Sequence, residues 1–367
     1  MLYMIGALTC FYLLNGLYYF IGILRLLKRQ KHEINIPNDN NPFVTVIVSA
    51  RNEADSIGKC LKCLINQTYP SSRYEVIPVN DASKDQTMEI INDYMLEDDR
   101  VKPINIKPEQ RQKQGKINAI DKGILNAKGE IIITTDADTW MGTEWISTMV
   151  GSFNNSTGFV LGITIDEMSN NPVHAFQALD GIGICVISAA LAEMNNPITC
   201  RGTNLAFRKD VYFQVRERVL HLSTTQGNRE WLMQEINNST NWRITQQVDP
   251  GSFVYTSSPD NWMALINQRA RWAATGKYYT KLSVRLYLII IYCSLLNFVI
   301  SPFVISAELL VILWGVKLAV DFPVSIAVSR LVNQPRLLWA FPLVYIIQPL
   351  MVTITAFLGT FNLYRWK

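Results

Sequence analysis

At 367 residues the chain is long enough for about two domains of roughly 150 residues, so it can bury a core without disulfide staples. Charged residues make up 17% and hydrophobic residues 49% of it. An average soluble domain carries roughly 25% charge, so the apolar residues must be concentrated in segments, and a disordered or collagen-like chain is excluded. Thirty-four Lys and Arg against thirty Asp and Glu leave a net +4, too mild and too dispersed to call for a nucleic-acid partner.

The first segment, Met1 to Leu24, has no charged residue. A helix of that length, at ~1.5 Å per residue, exceeds a hydrocarbon core of about 30 Å, which predicts a transmembrane helix over residues 1–27. Arg25, Lys28, Arg29 and Lys31 follow the apolar run instead of preceding it. That order argues against a cleaved signal peptide, and by the positive-inside rule it places the next segment in the cytoplasm.

From residue 35 to 281 the pattern changes to β-branched runs alternating with amphipathic stretches. Strands are predicted over Val44–Ser49, Tyr74–Val79, Val101–Ile106 and Glu130–Thr135, and helices over Ala54–Gln67, Asp85–Leu96 and Gly115–Ala127. Ile57, Leu61 and Leu64 share one helical face. Such alternation predicts an α/β domain with a mostly parallel, Rossmann-like sheet, right-handed crossovers and ligands at the carboxyl ends of the strands. No Gly-x-Gly-x-x-Gly or Gly-Lys-Ser/Thr loop follows a strand, so ordinary dinucleotide and P-loop sites are not expected.

Those strand ends are polar and acidic: Ala50-Arg51-Asn52-Glu53, Asn80-Asp81-Ala82-Ser83-Lys84-Asp85 and Asp136-Ala137-Asp138. Asp136 and Asp138, two apart in an extended segment, would share a side and repel unless a cation intervened. A hard ion, Mg2+ or Mn2+, takes its remaining ligands from water and phosphate, so the pair predicts a diphosphate ligand. Lys116, opening the third helix, brings a positive charge toward the same ligand. On its own an Asp-x-Asp is most often a solvated turn.

Val173 to Met194 is long and apolar, but Asp180 and nearby Gly and Ser residues favour a buried or interfacial helix over a membrane span. Gln268, Arg271 and Trp272 fall on one side of a helix over 260–277; Arg suits phosphate and Trp an apolar or sugar face. The same helix, with Trp262, Leu265 and Trp272, also suits a headgroup boundary. Three more transmembrane helices are expected within 284–363: Leu286–Ala307, Leu309–Val328 and Leu337–Leu363. Lys317 and Asp321, four apart on the second of these, can neutralise each other. Cys60 and Cys63 lie inside a predicted helix with no second pair at zinc spacing, and read as packing residues.

At these residues the chain resembles glycosyltransferase family 2, inverting membrane-associated enzymes with the GT-A fold, over about Pro42 to Lys277. VTVIVSARNEADSIGKCLKCLINQTYP, YEVIPVNDASKDQT and KQGKINAIDKGILNAKGEIIITTDAD carry the likeness in order. The resemblance implies that Ala50 and Glu53 line the nucleotide pocket, that Asp81 contacts base or ribose, and that Lys116 lies beside the nucleotide. It sets Asp136 near ribose or metal, with Asp138 as the main metal ligand. Thr203 and Asn204, in Gly202–Arg208, resemble the acceptor-side strand, and Gln268, Arg271 and Trp272 match Q-x-x-R-W. Two departures stand out. The acidic turn commonly begins Asp-Asp and here begins Asn80-Asp81. Where relatives present a carboxylate as general base, this chain reads Gln226-Gly227-Asn228-Arg229-Glu230. Glu230 replaces the base, or the acceptor is an already ionised group such as a phosphate held by Arg229, or activity is lost.

The expected function is transfer of a sugar from a nucleotide-diphosphate donor, a UDP-sugar by preference, to a lipid or lipid-linked acceptor at the cytoplasmic face of the membrane, with a divalent cation. One alternative is a processive polysaccharide synthase, which would need partner membrane proteins to complete a channel. Another is a catalytically silent, nucleotide-sugar-binding scaffold.

Overall fold

The computed structural model describes residues 2–30, 41–110, 116–222 and 229–365. Its contacts divide the chain into an α/β unit, Arg29–Ile165 with Ala192–Ser257, and a helical unit, Met1–Lys28 with Asp166–Leu191 and Ser258–Lys367.

In the α/β unit the strands, in chain order, are β1 (Val44–Ala50), β2 (Tyr74–Asp81), β3 (Ile104–Ile106), β4 (Ile131–Asp136), β5 (Thr139–Met141), β6 (Thr157–Leu161), β7 (Thr164–Asp166), β8 (Asn204–Arg208), β9 (Arg243–Gln246) and β10 (Val254–Thr256). Seven of them form one sheet in the order β3-β2-β1-β4-β8-β6-β9, and β5-β10-β7 form a second. In the larger sheet only β8 runs against the rest.

Both faces of this sheet are covered, so its central strands are almost continuously apolar. Side chains alternate across a strand. Val44, Val46, Val48, Ile131 and Ile133 therefore pack with Ile57, Leu61 and Leu64 of helix α2 (Ile57–Ile65) and Ile91 of α3 (Thr87–Glu97). Ile47, Ile77, Val79 and Ile132 pack on the other side with Ile117, Ile120 and Ile124 of α4 (Lys116–Asn126) and with Leu205 and Phe207 of β8. Gly129 lets β1 and β4 approach at their lower ends: a Cβ there would stand 2.4 Å from the Thr45 amide nitrogen.

The expected elements form with shifted ends, each for a local reason. Helix α2 begins at Ile57 instead of Ala54 because the amides of Glu53 and Ala54 donate to Thr87 Oγ1 at 2.8 Å and Asp85 Oδ2 at 3.1 Å. The Val101–Ile106 strand is reduced to a bridge at Val101 and the short β3, since Pro103 has no N–H to donate. The short helix α5 (Trp145–Val150) follows β5.

The helical unit holds most of α1 (Leu2–Gln30) and of α6 (Pro172–Glu193), together with α9 (Trp262–Ala273), α10 (Leu282–Ile300), α11 (Ala307–Leu331) and α12 (Phe341–Thr360); α7 (Lys209–Leu222) and α8 (Arg229–Ser239) belong to the α/β unit. Among the described residues five helices are long and apolar enough to cross a membrane: α1, α6, and α10 to α12 with their 3-10 extensions. Helix α6 differs from the others in that 78% of its apolar window is buried inside the protein, against 17–33% for the rest. It packs as a buried helix, and Asp180, the residue that argued against a span, is paired with Arg269 at 2.8 Å.

That pair belongs to a longer polar chain through the apolar helices. Gln177 on α6 donates to Asp166 at 2.9 Å and accepts from Arg269 on α9 at 2.7 Å. Gln348 on α12 lies 3.4 Å from both Asp180 and Lys317. Lys317, wholly buried on α11, is paired with Asp321 as its i, i+4 spacing predicts, and Asp321 accepts from Tyr12 on α1 at 2.5 Å. Asp180 and Asp321 each have a cationic partner, as apolar surroundings require.

Candidate active site

The ends of β2, β1 and β4 lie side by side, with Ala50 opposite Asn80 and Ser49 opposite Asp136. Adjacent strands are about 4.8 Å apart, so Asp81 and Asp136 flank the end of β1. Ala50 is buried there, and Asp81 is buried at the end of β2.

The loops after β1 and β2 are laced together. The Asn52 amide donates to Ser83 Oγ, and its side-chain oxygen accepts from the Lys84 amide, each at 2.9 Å. Asn52 and Ala82 both take positive φ, 53° and 56°, the left-handed region that Asn tolerates and Ala rarely enters. Glu53, half-buried, accepts from the Ser56 hydroxyl at 3.0 Å. Asp85 is held below the usual carboxylate range: a desolvation effect that would raise it is outweighed by hydrogen bonds from the Thr87 hydroxyl and the Ala54 and Thr87 amides.

The replacement of an acid by Asn80 has a physical reason. Asn80 is buried beside Asp81, donates to Asn105 Oδ1 at 2.9 Å and accepts from the Ser83 amide at 3.3 Å. A carboxylate there could not donate and would be a second buried charge. Asn80→Asp is expected to cost about 1–3 kcal/mol of stability at pH 7. Burial raises the acid's pKa in the folded state, so the penalty grows above the unfolded value near ~3.9 and vanishes below it. Thermal melts of both proteins from pH 3.5 to 7 check this; a gap independent of pH would contradict it.

At the end of β4 the two acidic residues part company. Spacing placed them on one side of an extended segment, but β4 stops at Asp136, and Ala137 and Asp138 form a turn into β5. Asp136 Oδ2 pairs with Lys116 Nζ at 2.6 Å, and its Oδ1 accepts from Arg229 Nη2. Desolvation alone would raise this carboxyl; the charges and hydrogen bonds of Arg229 and Lys116 overcome it and hold Asp136 far below the ordinary range. Both oxygens of Asp136 are thus neutralised by side chains, which removes the repulsion that suggested a shared cation. Asp138 is exposed. The described residues contain no group of three or more His, Cys, Asp or Glu placed to hold a metal. One exposed carboxylate within electrostatic reach of Lys116 fits a hard ion that draws its other ligands from diphosphate and water; Asp136, with both oxygens taken by Lys116 and Arg229, does not.

Arg229 and Glu230 open α8. The Arg229 side chain is 5% exposed. A Cβ on Gly202 would come within 3.0 Å of its Nε, so the guanidinium lies over bare backbone. Glu230 is buried, with Oε1 accepting from the Thr199 hydroxyl. Asn228 and Gly115 lie outside the described residues. Thr203 shares a hydroxyl hydrogen bond with Thr164 at 2.6 Å. Asn204 is turned inward: it is fully buried, donates to Ile163 and Ser252 carbonyls at 2.9 and 2.8 Å, and accepts from Trp145 Nε1 at 3.1 Å. Its side chain ties strands together. Gln268, Arg271 and Trp272 belong to α9 of the helical unit, half-buried. The spacing passed over Arg269, the residue of this run that anchors α9 to Asp180 and Gln177. Its neighbour Arg271 has the same chemistry, and only the fold separates them.

The sequence model of the family "Glycosyl transferase family 2" matches residues 45–212, from β1 through β8 into α7. Over these residues the chain is similar to glycosyltransferase family 2. The chain is 30% identical over 190 residues to glycosyltransferase AglE of Haloferax volcanii, covering 52% of the chain and 60% of that protein. It is 24% identical over 284 residues to beta-monoglucosyldiacylglycerol synthase of Nostoc sp., covering 71% and 55%. The matched region thus spans little more than half the length of these curated relatives. Among solved structures, mannosyltransferase PcManGT from Pyrobaculum calidifontis, in complex with GDP-Man and Mn2+, aligns over 98% of both chains with a TM-score of 0.62 at 17% identity. The fold of the chain is accordingly GT-A, with apolar helices at its N-terminus and toward its C-terminus.

Proposed function

We propose that the protein is a non-processive, inverting glycosyltransferase that moves a sugar from a nucleotide-diphosphate donor to a lipid or lipid-linked acceptor at the cytoplasmic face of the membrane, its transferase domain lying within residues 35–281. The observation that carries this reading is the rim itself: Ala50, Glu53 and Asp81 on two laced loops, opposite Asp138 with Lys116 and Arg229 close to Asp136. Asp138 holds the divalent cation, which supplies electrostatic stabilisation of the departing diphosphate. Lys116 adds positive charge on the same side, and Asp136 keeps Lys116 and Arg229 ionised and in place. For a hydroxyl acceptor the proton would pass to Glu230. The five apolar helices support a membrane location, and the positive charges after α1 support a cytoplasmic face.

The test is incubation of the purified full chain with Mn2+, native lipid extract and a panel of UDP-sugars together with GDP-mannose, followed by mass spectrometry. A new glycolipid is expected. Nucleotide binding with no product from any donor would contradict it and favour a silent scaffold, the reading that the Arg229–Asp136 pair otherwise suits.

A further inference from the structure

Two cations converge on the carboxylate of Asp136 at the end of β4, and Asp138 lies within electrostatic reach of one of them, Lys116. Lys116 and Arg229 both pair with Asp136, and the N-terminal end of α8 adds its own positive potential. The Arg229 guanidinium uses only part of its fork. Nη2 reaches Asp136, while Nη1 is buried without a hydrogen-bond partner. A buried donor left unused in a nearly inaccessible side chain is a costly arrangement unless a ligand completes it. The backbone of Gly202 lies close beneath it, where a Cβ would stand 3.0 Å from Arg229 Nε.

A guanidinium cannot take a proton, but it holds phosphate oxygens in a two-pronged grip. Glu230, the adjacent carboxylate, is buried and gives an oxygen to the Thr199 hydroxyl. The start of α8 is therefore better built to bind an anion than to deprotonate an alcohol.

We propose that Arg229 binds the acceptor, and that the acceptor is a lipid phosphate monoester of the polyprenyl phosphate class. This rests on the transferase reading above. An oxygen of that phosphate forms the bond to the anomeric carbon as the bond from that carbon to the donor's β-phosphate oxygen breaks. The electron pair departs with the nucleoside diphosphate, which gains the negative charge that the acceptor phosphate loses. No proton moves, and no general base is required.

The experiment compares undecaprenyl phosphate, undecaprenol, diacylglycerol and inorganic phosphate as acceptors for the full chain with Mn2+ and the donor panel. A sugar-phosphate-lipid product from undecaprenyl phosphate is expected, with none from undecaprenol. Its kcat/KM should rise with the second phosphate ionisation near pH ~6 and show no further limb from an enzyme base. Arg229→Lys, which keeps a charge for Asp136 and loses the second prong, should raise KM for the lipid phosphate by about 10–100-fold while leaving UDP affinity with Mn2+ unchanged. Arg229→Gln should do the same or more, with the melting temperature of each variant as the check on folding. Product from undecaprenol or diacylglycerol alone would overturn the acceptor class and leave the transferase reading standing. Product from inorganic phosphate at the same kcat/KM would overturn the lipid requirement. An equal fall in UDP affinity would assign Arg229 to the donor. Absence of product from every acceptor would overturn the transferase reading itself.

Discussion

Asp136→Asn is expected to lower the stability of the nucleotide-free protein by about 3 kcal/mol, or roughly 6–12 °C in Tm for a domain of this size. The substitution leaves Arg229 and Lys116 facing each other without the charge between them. Arg229 is nearly inaccessible whereas the Lys116 side chain is 43% exposed; solvent screens the lysine and the full penalty falls on the arginine, which places the estimate at the low end for a broken buried pair. The pH dependence has a definite sign. A carboxyl whose folded pKa is depressed contributes stability above its unfolded value near ~3.9 and loses it as pH falls toward the folded value. The gap between the two proteins should therefore be full at pH 5–7 and close only in acid below pH ~4. Melting curves across that range measure it, and equal melting temperatures at pH 7 would refute the clamp.

The second large effect concerns the residue two positions on, and it should be of the opposite kind. Asp138 is exposed in the turn after β4, so Asp138→Asn should change stability by less than about 0.5 kcal/mol. If Asp138 holds the cation against the diphosphate, the same change removes a charge that acts on the leaving group, and turnover should fall by about 100–1,000-fold. Parallel melting curves and product assays on the two variants give a crossed pattern: one loses its fold's stability, the other only its chemistry. Loss of stability in both, or loss of activity in neither, would show that the division between clamp and cation site is wrong.

The half of this architecture that could be read from the sequence is the half written in local periodicity. The β-branched runs of β1, β2 and β4 and the apolar face of α2 announce a covered parallel sheet, and a covered parallel sheet delivers its loops to one edge. Asp81, Asp136 and Asp138 follow from that. What periodicity does not encode is who neutralises whom. Lys116 and Arg229 meet Asp136 from 20 and 93 residues away, and the lacing of the first two loops joins residues about 31 apart. The antiparallel β8 was legible only through its likeness to relatives, and that likeness marked Asn204 for the acceptor side when its amide is in fact taken up by Ile163, Ser252 and Trp145.

The helical unit shows the same limit. Lys317 and Asp321 are legible as a pair because their spacing is one helical turn. The continuation through Gln348, Asp180 and Arg269 requires three other helices, and no single segment carries it. Asp180 signals a partner elsewhere in the fold, because an isolated carboxylate in apolar surroundings needs one, and Arg269 supplies it.

Calorimetric titration of the full chain with UDP, once with Mn2+ and once with chelator, tests the account at its centre. Saturable binding is expected with Mn2+, with affinity falling at least about tenfold in chelator and to the same degree in Asp138→Asn. Equal affinity in both buffers, or no effect of Asp138→Asn, would contradict the assignment of a cation-held diphosphate to this rim.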